Sequence, residues 1–303
     1  MHRTYDVIQQ QAHTIASVDL GGTTISCGIV ENSDIVRLMT IQAVRKDNAE
    51  TLFATIAKLI GDISEGYDID GISFGVNAPA GPGTEVLFLM ENLPSLEDFP
   101  LKRRLTEQFD VPVLLENDAN CMAVGEHISG ALQGCGNCVC ITLGTGLGCG
   151  IIIEGNIYRG SRYCAGEIWN IPAGDGRTYE DTVSIDGLKR IYRELSGNEL
   201  EPEDIYGKYL GGDDISVKTF ERYGEALGTV MTAVLSFLDP EKIAVGGGIA
   251  QALPAFENSM NSVVEKSWGN DGVSKIVPAQ LSSKAAIIGA ANLFTVSNIS
   301  NRI

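Results

Sequence analysis

Three glycine-rich turns, each directly after a short apolar segment, carry the residues most suited to chemistry in this sequence. They are Gly21 to Thr24, Gly144 to Gly146 and Gly246 to Gly248, and Asp19 precedes the first. Glycine has no Cβ, so the backbone N–H groups of such turns can approach an anion closely. A single turn of this kind is more typical of a plain hairpin. Three of them in one chain favour a bound nucleotide.

The turns do not match the common nucleotide signatures. The P-loop pattern Gly-x-x-x-x-Gly-Lys-Ser/Thr does not occur, and none of the turns fits the dinucleotide pattern Gly-x-Gly-x-x-Gly. Asp19 is placed to hold Mg²⁺ through water molecules, because Mg²⁺ on a nucleotide takes one or two carboxylates and keeps several waters. We therefore expect a nucleotide and Mg²⁺ near Asp19.

A second polar group, Glu116 to Asn120, follows the apolar strand predicted at 112–115. Asn117 or Asp118 could simply cap the helix that begins here. Asp118 also lies at the carboxyl end of a strand, where ligands bind in α/β sheets. There it could accept a proton from a hydroxyl that attacks a phosphate. The sequence alone leaves both interpretations open.

The elements that must position these residues alternate in the α/β style. A strand, a glycine turn and a second strand occupy residues 15–30, and the same arrangement returns at 139–154. This repeat predicts two domains built on one plan that face each other across a cleft. The remaining predicted elements are helices at 49–63, 101–109 and 217–238, strands at 71–76 and 242–245, and an irregular, solvated acidic insertion at 194–214.

Composition excludes several classes of protein. The chain has 303 residues and a formal net charge of -17, which repels nucleic acid and anionic membranes on average. No stretch approaches the ~20 apolar residues of a membrane helix, and the first residues lack the apolar run of a secretory signal. We therefore expect a cytoplasmic protein with neither nucleic acid nor membrane as a partner.

The seven cysteines are odd in number and lack the spacing of a disulfide framework, which favours reduced thiols. Cys135, Cys138 and Cys140 could form a zinc or redox site. Alternatively, Cys138 and Cys140 are small apolar residues on one face of a strand. We favour the strand, because no fourth ligand lies nearby in the sequence.

Taken together, the motifs resemble those of the ROK family of sugar kinases and repressors. The matching segments are Asp19 to Thr24, Glu116 to Asn120, Leu143 to Gly148, Ala165 to Ile168, Asp239 to Gly248 and Ile287 to Ala291. The resemblance implies an actin-like, hexokinase-type (ribonuclease H-like) fold of two α/β domains. We expect an N-terminal domain at 1–117, joined by the C-terminal helix 288–303, and a second domain at 118–287. The implied reaction transfers the γ-phosphate of ATP to a sugar hydroxyl, by default on C6 of glucose.

The resemblance also implies a role for each matching residue. Asp118 would be the general base. The implied sugar contacts are Asn92, Asn117, Glu167, Asn170 and Glu180. The implied ATP contacts are Asp19, with Mg²⁺ held through water, and Gly21, Gly22, Thr23, Thr24, Gly144, Thr145, Gly146, Gly247 and Gly248.

The sequence departs from the family pattern after Ile168. The pattern Gly-Glu-Ile-Gly-His continues here with Trp169 and Asn170, and the cysteine loop that binds structural zinc is missing up to Glu180. We therefore expect no zinc, and a sugar specificity altered by Asn170. Trp169 could stack on a sugar face or fill the space of the lost loop, and we favour packing.

Several alternatives stay open. The sugar could be allose, mannose, fructose or an N-acetylated amino sugar, and the protein could be a non-catalytic sugar sensor or a transcriptional regulator of the same family. Only 18 residues precede Asp19, too few for a helix-turn-helix module, and both Asp19 and Asp118 are retained, which favours an enzyme. Family habit and the small residues of the 217–238 helix indicate a homodimer.

Overall fold

The computed structural model describes residues 13–21, 24–43, 48–88 and 93–300, and within these ranges ten strands form two five-stranded sheets. The first sheet has the order β3-β2-β1-β4-β5 and the second the order β10-β9-β6-β7-β8. The strands are β1 (Thr14–Leu20), β2 (Thr24–Glu31), β3 (Asp34–Gln42), β4 (Gly71–Val76), β5 (Val113–Asn117), β6 (Cys138–Leu143), β7 (Leu147–Ile153), β8 (Asn156–Ile157), β9 (Lys242–Gly246) and β10 (Ile276–Pro278).

The two sheets follow one plan, which confirms the repeat predicted from the sequence. In each, a glycine turn joins the first two strands into an antiparallel hairpin, and a third strand extends the hairpin on one side. Two further strands pair in parallel on the other side of the first. The turns therefore lie at corresponding places in the two sheets.

The register of the parallel strands determines which residues meet at the edge of the first sheet. Asp19 on β1 is paired with Gly75 on β4, and Gly75 is paired with Glu116 on β5. The carboxyl ends of parallel strands share one edge. The residues that follow these three strands, including Asn77 and Asp118, therefore emerge side by side.

The helices pack on both faces of both sheets, as expected for parallel α/β sheets. They are α1 (Ala49–Ser64), α2 (Leu101–Phe109), α3 (Asp118–Ser129), α4 (Tyr179–Val183), α5 (Ile185–Ser196), α6 (Pro202–Leu210), α7 (Asp214–Leu238), α8 (Leu253–Ser274) and α9 (Lys284–Ser300), with short 3-10 turns at Pro94–Leu96, Ile168–Asn170 and Ile249–Ala252. The α7 helix begins three residues before the predicted start, because the Asp213 side chain caps it.

One prediction about an element was wrong. The acidic segment 194–214 is not an irregular insertion, since α5 runs to Ser196 and α6 occupies Pro202–Leu210. The glycine and proline taken as loop signals mark helix ends instead. Gly197 ends α5 in the left-handed region with φ 74°, and Pro202 is the first residue of α6, where the missing N–H is not needed.

The α3 helix lies between the two sheets and contacts strands of both. On its other side it packs against α9, which itself lies on β1, β2 and β4. The two helices approach closely, because a Cβ on Gly289 would lie 1.8 Å from the Cys121 carbonyl oxygen. The buried Glu126 carboxylate also accepts hydrogen bonds from the N–H groups of Gln280 and Leu281, just before α9.

Cys138 and Cys140 are buried in one apolar cluster on β6, as the strand interpretation predicts, and Cys135 lies in the same cluster. Within the described ranges, no three His, Cys, Asp or Glu side chains are grouped so that they could hold a metal ion. None of the helices described combines the length and the apolar character that a bilayer crossing requires.

Candidate active site

Asp118 is the first residue of α3 and stands where β5 ends. Asn117 is the N-cap, and its Oδ1 accepts the Asn120 N–H at 3.1 Å, which confirms the capping interpretation for Asn117. The Asn117 amide donates to the Ala78 carbonyl at 3.3 Å, so both ends of this side chain contact the protein. Asp118 is therefore the acidic residue of the pair, and its side chain is not the one that caps the helix.

The surroundings of Asp118 favour its protonated form. Although part of the residue faces solvent, the surrounding atoms desolvate the carboxylate, and this burial together with the charges of Asp19 and Glu167 raises its pKa to about 7. Hydrogen bonds from the Ala119 N–H, at 2.8 Å, and from the Asn77 side chain act in the opposite direction. A carboxyl group with this pKa can exchange a proton near neutral pH.

Asn77 is a site residue that the sequence analysis missed. It follows β4 directly, as Asn117 ends β5, so a polar residue after a buried strand was the signal that could have identified it. The β4 strand also comes close to α3, since a Cβ on Gly75 would lie 3.6 Å from the Asp118 Cα. The first helical turn of α3 therefore rests on β4.

Asp19 lies on β1, next to the first glycine turn. Desolvation raises the pKa of its carboxyl group to about 6. Its charge contributes to the raised pKa of Asp118, which places the two carboxylates within electrostatic reach of each other. In this turn, Gly21 and Thr24 flank the hairpin from β1 to β2, and a Cβ on Gly21 would lie 2.9 Å from the Thr24 carbonyl oxygen. Gly22 and Thr23 lie outside the described residues.

The structure brings the second and third glycine turns together on the other sheet. Because β6 and β9 are parallel neighbours, Gly247 lies against Leu143. A Cβ added to Gly247 would lie only 2.3 Å from the Leu143 carbonyl oxygen. With φ 90°, Gly247 also has a conformation that other residues rarely adopt. Gly144 and Gly248 differ from it, since no atom lies within 4 Å of their Cβ positions. The space beside the backbone is therefore open at both of these glycines.

Glu180 is positioned against the second turn by α4. Its Oε2 accepts the Leu147 N–H at 2.9 Å, immediately after Gly146. Thr178 caps α4 through a capping box with Asp181 and so fixes the helix that carries Glu180. The structure thus links a predicted sugar contact to a predicted phosphate turn.

Glu167 faces the same region from a loop that packs on β7. A Cβ on Gly166, which has φ 87°, would lie 1.9 Å from the Cys149 carbonyl oxygen, so the loop backbone lies directly on the strand. The Trp169 indole N–H donates to Glu167 Oε2 at 2.6 Å, and its ring packs against the core of the second sheet. Packing, the favoured interpretation of Trp169, is confirmed. The hydrogen bond to Glu167 was not foreseen.

Asn170 and Asn92 are the two remaining predicted sugar contacts. Asn170 is exposed at the end of the 3-10 turn Ile168–Asn170. Asn92 lies outside the described residues. Arg159, which the sequence analysis did not select, reaches Glu116 beside Asp118. Its sequence signal was that it is one of two basic residues, Arg159 and Arg162, shortly after a β-hairpin.

Comparison with known proteins adds an independent line of observation. A model of the ROK family matches residues 15–296. A glucokinase of Halalkalibacterium halodurans is 31% identical over 265 residues, covering 78% of this chain and 80% of that protein. A beta-glucoside kinase of Listeria monocytogenes is 28% identical over 291 residues, covering 92% and 97%. The structure of a ROK family glucokinase from Streptomyces griseus, in complex with glucose and AMPPNP, matches with a TM-score of 0.80 at 26% identity, covering 93% of this chain and 99% of that one. The predicted actin-like, hexokinase-type fold is confirmed.

Proposed function

The chain belongs to the ROK family, and on that premise we propose that it transfers the γ-phosphoryl group of ATP to a sugar hydroxyl, by default the C6 hydroxyl of glucose. One observation carries the proposal. Asp118 stands at the shared carboxyl edge of β1, β4 and β5, close to Asp19. The pKa of the Asp118 carboxyl group is raised to about 7. This is the position and the protonation behaviour that a general base for a sugar hydroxyl requires.

Asp118 performs the proton transfer in this proposal. The sugar oxygen forms a bond to the γ-phosphorus, the bond from that phosphorus to the oxygen shared with the β-phosphate breaks, and ADP leaves. The hydroxyl proton passes to the Asp118 carboxylate. A carboxyl group with a pKa near 7 can both accept this proton and return it to solvent afterwards. Asn77 orients the carboxylate through its hydrogen bond.

The residues around the turns suit ATP and Mg²⁺. Gly144 and Gly248 leave open space where a phosphate or ribose can approach the backbone, and turn amides supply donors for it. Asp19 is a desolvated carboxylate beside a second acidic residue, an environment that a cation stabilises. Bound Mg²⁺ would neutralise charge on the phosphates during transfer. In a chain of net charge -17, affinity for ATP would then come from backbone dipoles and the cation more than from lysines.

The sugar contacts in this proposal are Asn92, Asn117, Glu167, Asn170 and Glu180. Of these, the carboxylates Glu167 and Glu180 are the ones best suited to bind sugar hydroxyls, because each accepts hydrogen bonds strongly. Allose, mannose, fructose, N-acetylated amino sugars and β-glucosides are alternative substrates. The presence of both Asp19 and Asp118 supports catalysis over a sugar-sensing or regulatory role.

The proposal is tested by measuring ADP release with Mg²⁺ and ATP across a panel of these sugars. We expect at least one sugar to stimulate ADP release, with formation of the sugar phosphate. Asp118→Asn should still bind that sugar but lose turnover by at least about 100-fold, the range of general base catalysis. Absence of ADP release with every sugar would overturn the kinase function, and near-normal turnover of the variant would overturn the role of Asp118.

We also propose the domain division at 117/118, a homodimer and a cytoplasmic location, as expected from the sequence. Sedimentation of the purified protein measures its oligomeric state. The α3 helix begins at this proposed boundary and contacts strands of both sheets.

A further inference from the structure

A cavity of about 200 Å³ lies between α4, α5, α7 and the segment that precedes α4. Three arginines line it, Arg177 before α4, Arg190 on α5 and Arg222 on α7, whereas Asp175 is the one acidic residue on its wall among those described. The proposed sugar and nucleotide contacts that the structure describes do not line this cavity. A water molecule takes up about 30 Å³ in the liquid, so the cavity has room for a small anion and a few waters.

The three guanidinium groups gather around the Glu194 carboxylate beside the cavity. The Arg190 Nη1 donates to Glu194 Oε1 at 2.6 Å, and the Arg222 Nη2 donates to Oε2 at 3.3 Å. The Arg177 Nη1 lies 3.7 Å from Oε1, and Arg177 also pairs with Asp175. The hydrogen bond from Arg190 and the charges of the three arginines lower the pKa of the Glu194 carboxyl group. Glu194 is therefore an anion that three cations share.

The arginines retain N–H donors that these bonds do not use. The Arg190 Nε is inaccessible to solvent and lacks a hydrogen-bond partner among the described residues. The Arg190 Nη2 reaches the Asp181 carbonyl at 3.3 Å, and Arg222 donates one hydrogen bond, to Glu194. The Asp181 carboxylate accepts the N–H and the hydroxyl of Thr178. A guanidinium carries five N–H donors, and a buried donor without an acceptor is destabilising, so an added anion would satisfy donors that are now unused.

We propose that the cavity is a binding site for a phosphate group, either the free ion or a small phosphate ester, held by Arg177, Arg190 and Arg222. Guanidinium groups bind phosphate oxygens through paired, charge-assisted hydrogen bonds. The oxygens of a phosphate point in several directions and can accept from three guanidiniums at once, whereas a carboxylate presents two oxygens in one plane. The chain has 22 basic and 39 acidic residues, so three arginines in one cavity run against its overall charge. The site is separate from the proposed active site.

Phosphorus NMR titration of the purified protein with inorganic phosphate measures the binding, and glycerol 3-phosphate is the probe for an ester. We expect saturable binding with a dissociation constant of about 1 mM or below, since a phosphate has few atoms with which to make contacts. AMPPNP with Mg²⁺, at a concentration that fills the proposed nucleotide site, should leave this binding unchanged. Tighter binding of inorganic phosphate identifies the ligand as the free ion, and tighter binding of glycerol 3-phosphate identifies it as an ester. Either result supports the proposal.

Arg222→Gln tests the arginine contacts, because Arg222 is about half exposed on α7 and its replacement should leave the fold intact. We expect phosphate binding to weaken by at least about 10-fold, which corresponds to the loss of one charge-assisted hydrogen bond. Arg222→Lys keeps the charge without the planar fork of donors, so it should also weaken binding, but less than Arg222→Gln does.

Arg193→Gln is the matched control, since Arg193 lies on α5 in an exposed pair with Glu199 and does not line the cavity. It should bind phosphate as the wild type does, and a melting curve of each variant checks that it is folded. Equal phosphate binding by Arg222→Gln and the wild type would overturn the proposal, as would the absence of saturable binding. Displacement of phosphate by AMPPNP would also overturn it, because the phosphate would then lie in the nucleotide site. The comparison of arginine variants requires no sugar phosphorylation, so it remains decisive if the proposed kinase function fails.

Discussion

Arg159 and Glu116 form a largely buried ion pair between the two sheets, with 21% of the Arg159 side chain exposed. The Arg159 Nε donates to Glu116 Oε2 at 2.6 Å, and the Glu116 side chain is completely inaccessible to solvent. Glu116 Oε1 accepts the Asn120 side-chain amide at 2.9 Å and the Asn117 N–H at 3.1 Å. The pair therefore braces the junction of β5 and α3 on both sides of Asp118. The Arg159 carbonyl also accepts the Ala165 N–H, at the start of the Glu167 loop.

Removal of the arginine should affect both stability and catalysis. In Arg159→Gln the Glu116 carboxylate stays buried without its cation, and burial already raises the pKa of this group. We expect the free energy of unfolding to fall by about 3 kcal/mol, as is usual when one partner of a buried pair is lost. We also expect kcat for the best sugar to fall more than KM rises, because Asp118 loses its alignment. Urea unfolding and steady-state kinetics measure the two effects.

Two further variants make this result specific. The double variant Glu116→Gln with Arg159→Gln removes both charges and should recover at least half of the lost stability. Arg193→Ala breaks an exposed pair with Glu199 and should change the free energy of unfolding by less than about 0.5 kcal/mol. Equal losses in Arg159→Gln and Arg193→Ala would show that the buried pair has no special importance.

The raised pKa of Asp118 predicts the pH dependence of the reaction. A general base works only when ionised, so kcat/KM for the sugar should rise with pH and level off above about 7. Asn77 donates a hydrogen bond that lowers this pKa, so Asn77→Ala should move the acidic limb to higher pH. Initial rates measured between about pH 5 and 9, at saturating ATP, give the pH at which kcat/KM falls on the acidic side. An unchanged limb or one displaced to lower pH in Asn77→Ala would contradict the assignment.

Much of the architecture was predictable from local sequence signals. The strand at 71–76 and the helix at 101–109 have the predicted bounds, because a continuous apolar run and a helical apolar spacing identify such elements. The repeat of strand, glycine turn and strand also predicted two sheets of one design. The prediction for the 194–214 segment failed, because glycine and proline occur both in loops and at the ends of helices. The sequence alone does not distinguish these two uses.

The candidate site was only partly predictable. Asp19 and Asp118 could be selected because each is an acidic residue at the end of an apolar strand. The contacts of Arg159 with Glu116 and of Glu180 with the Gly146 turn join residues far apart in the chain. No local pattern specifies such a pair, since the distance between the partners depends on how the two sheets pack around α3.

Asp118 should reduce the stability of the protein when its carboxyl group is ionised, at neutral and alkaline pH. The pKa of its carboxyl group rises from an ordinary value of 3.8 to about 7 in the folded protein, so between these values the folded state binds more protons than the unfolded state. The free energy of unfolding therefore falls as the pH rises through this window. Asp118→Asn removes the ionisable group and should raise the free energy of unfolding by about 2 kcal/mol at about pH 8, with little gain at about pH 4.

Urea unfolding of metal-free protein at the two pH values measures this effect. Asp62→Asn is the control, because Asp62 is a partly exposed residue on α1 that pairs with Lys58. This control should change the free energy of unfolding by less than about 0.5 kcal/mol at both pH values. If Asp118→Asn raised the free energy of unfolding equally at the acidic and the alkaline pH, burial of the ionised Asp118 carboxylate would not destabilise the protein.

Trp169 should determine the orientation of Glu167. Trp169→Phe keeps a ring for packing but removes the indole N–H that donates to Glu167 Oε2 at 2.6 Å. A hydrogen bond to a charged group contributes about 1.5–3 kcal/mol, so we expect the KM for sugar to rise about tenfold, with a smaller change in kcat. Trp268→Phe, at the other tryptophan packed on the same core, should leave the KM unchanged. If Trp169→Phe only lowers the melting temperature, Trp169 serves packing alone and Glu167 is oriented by other groups.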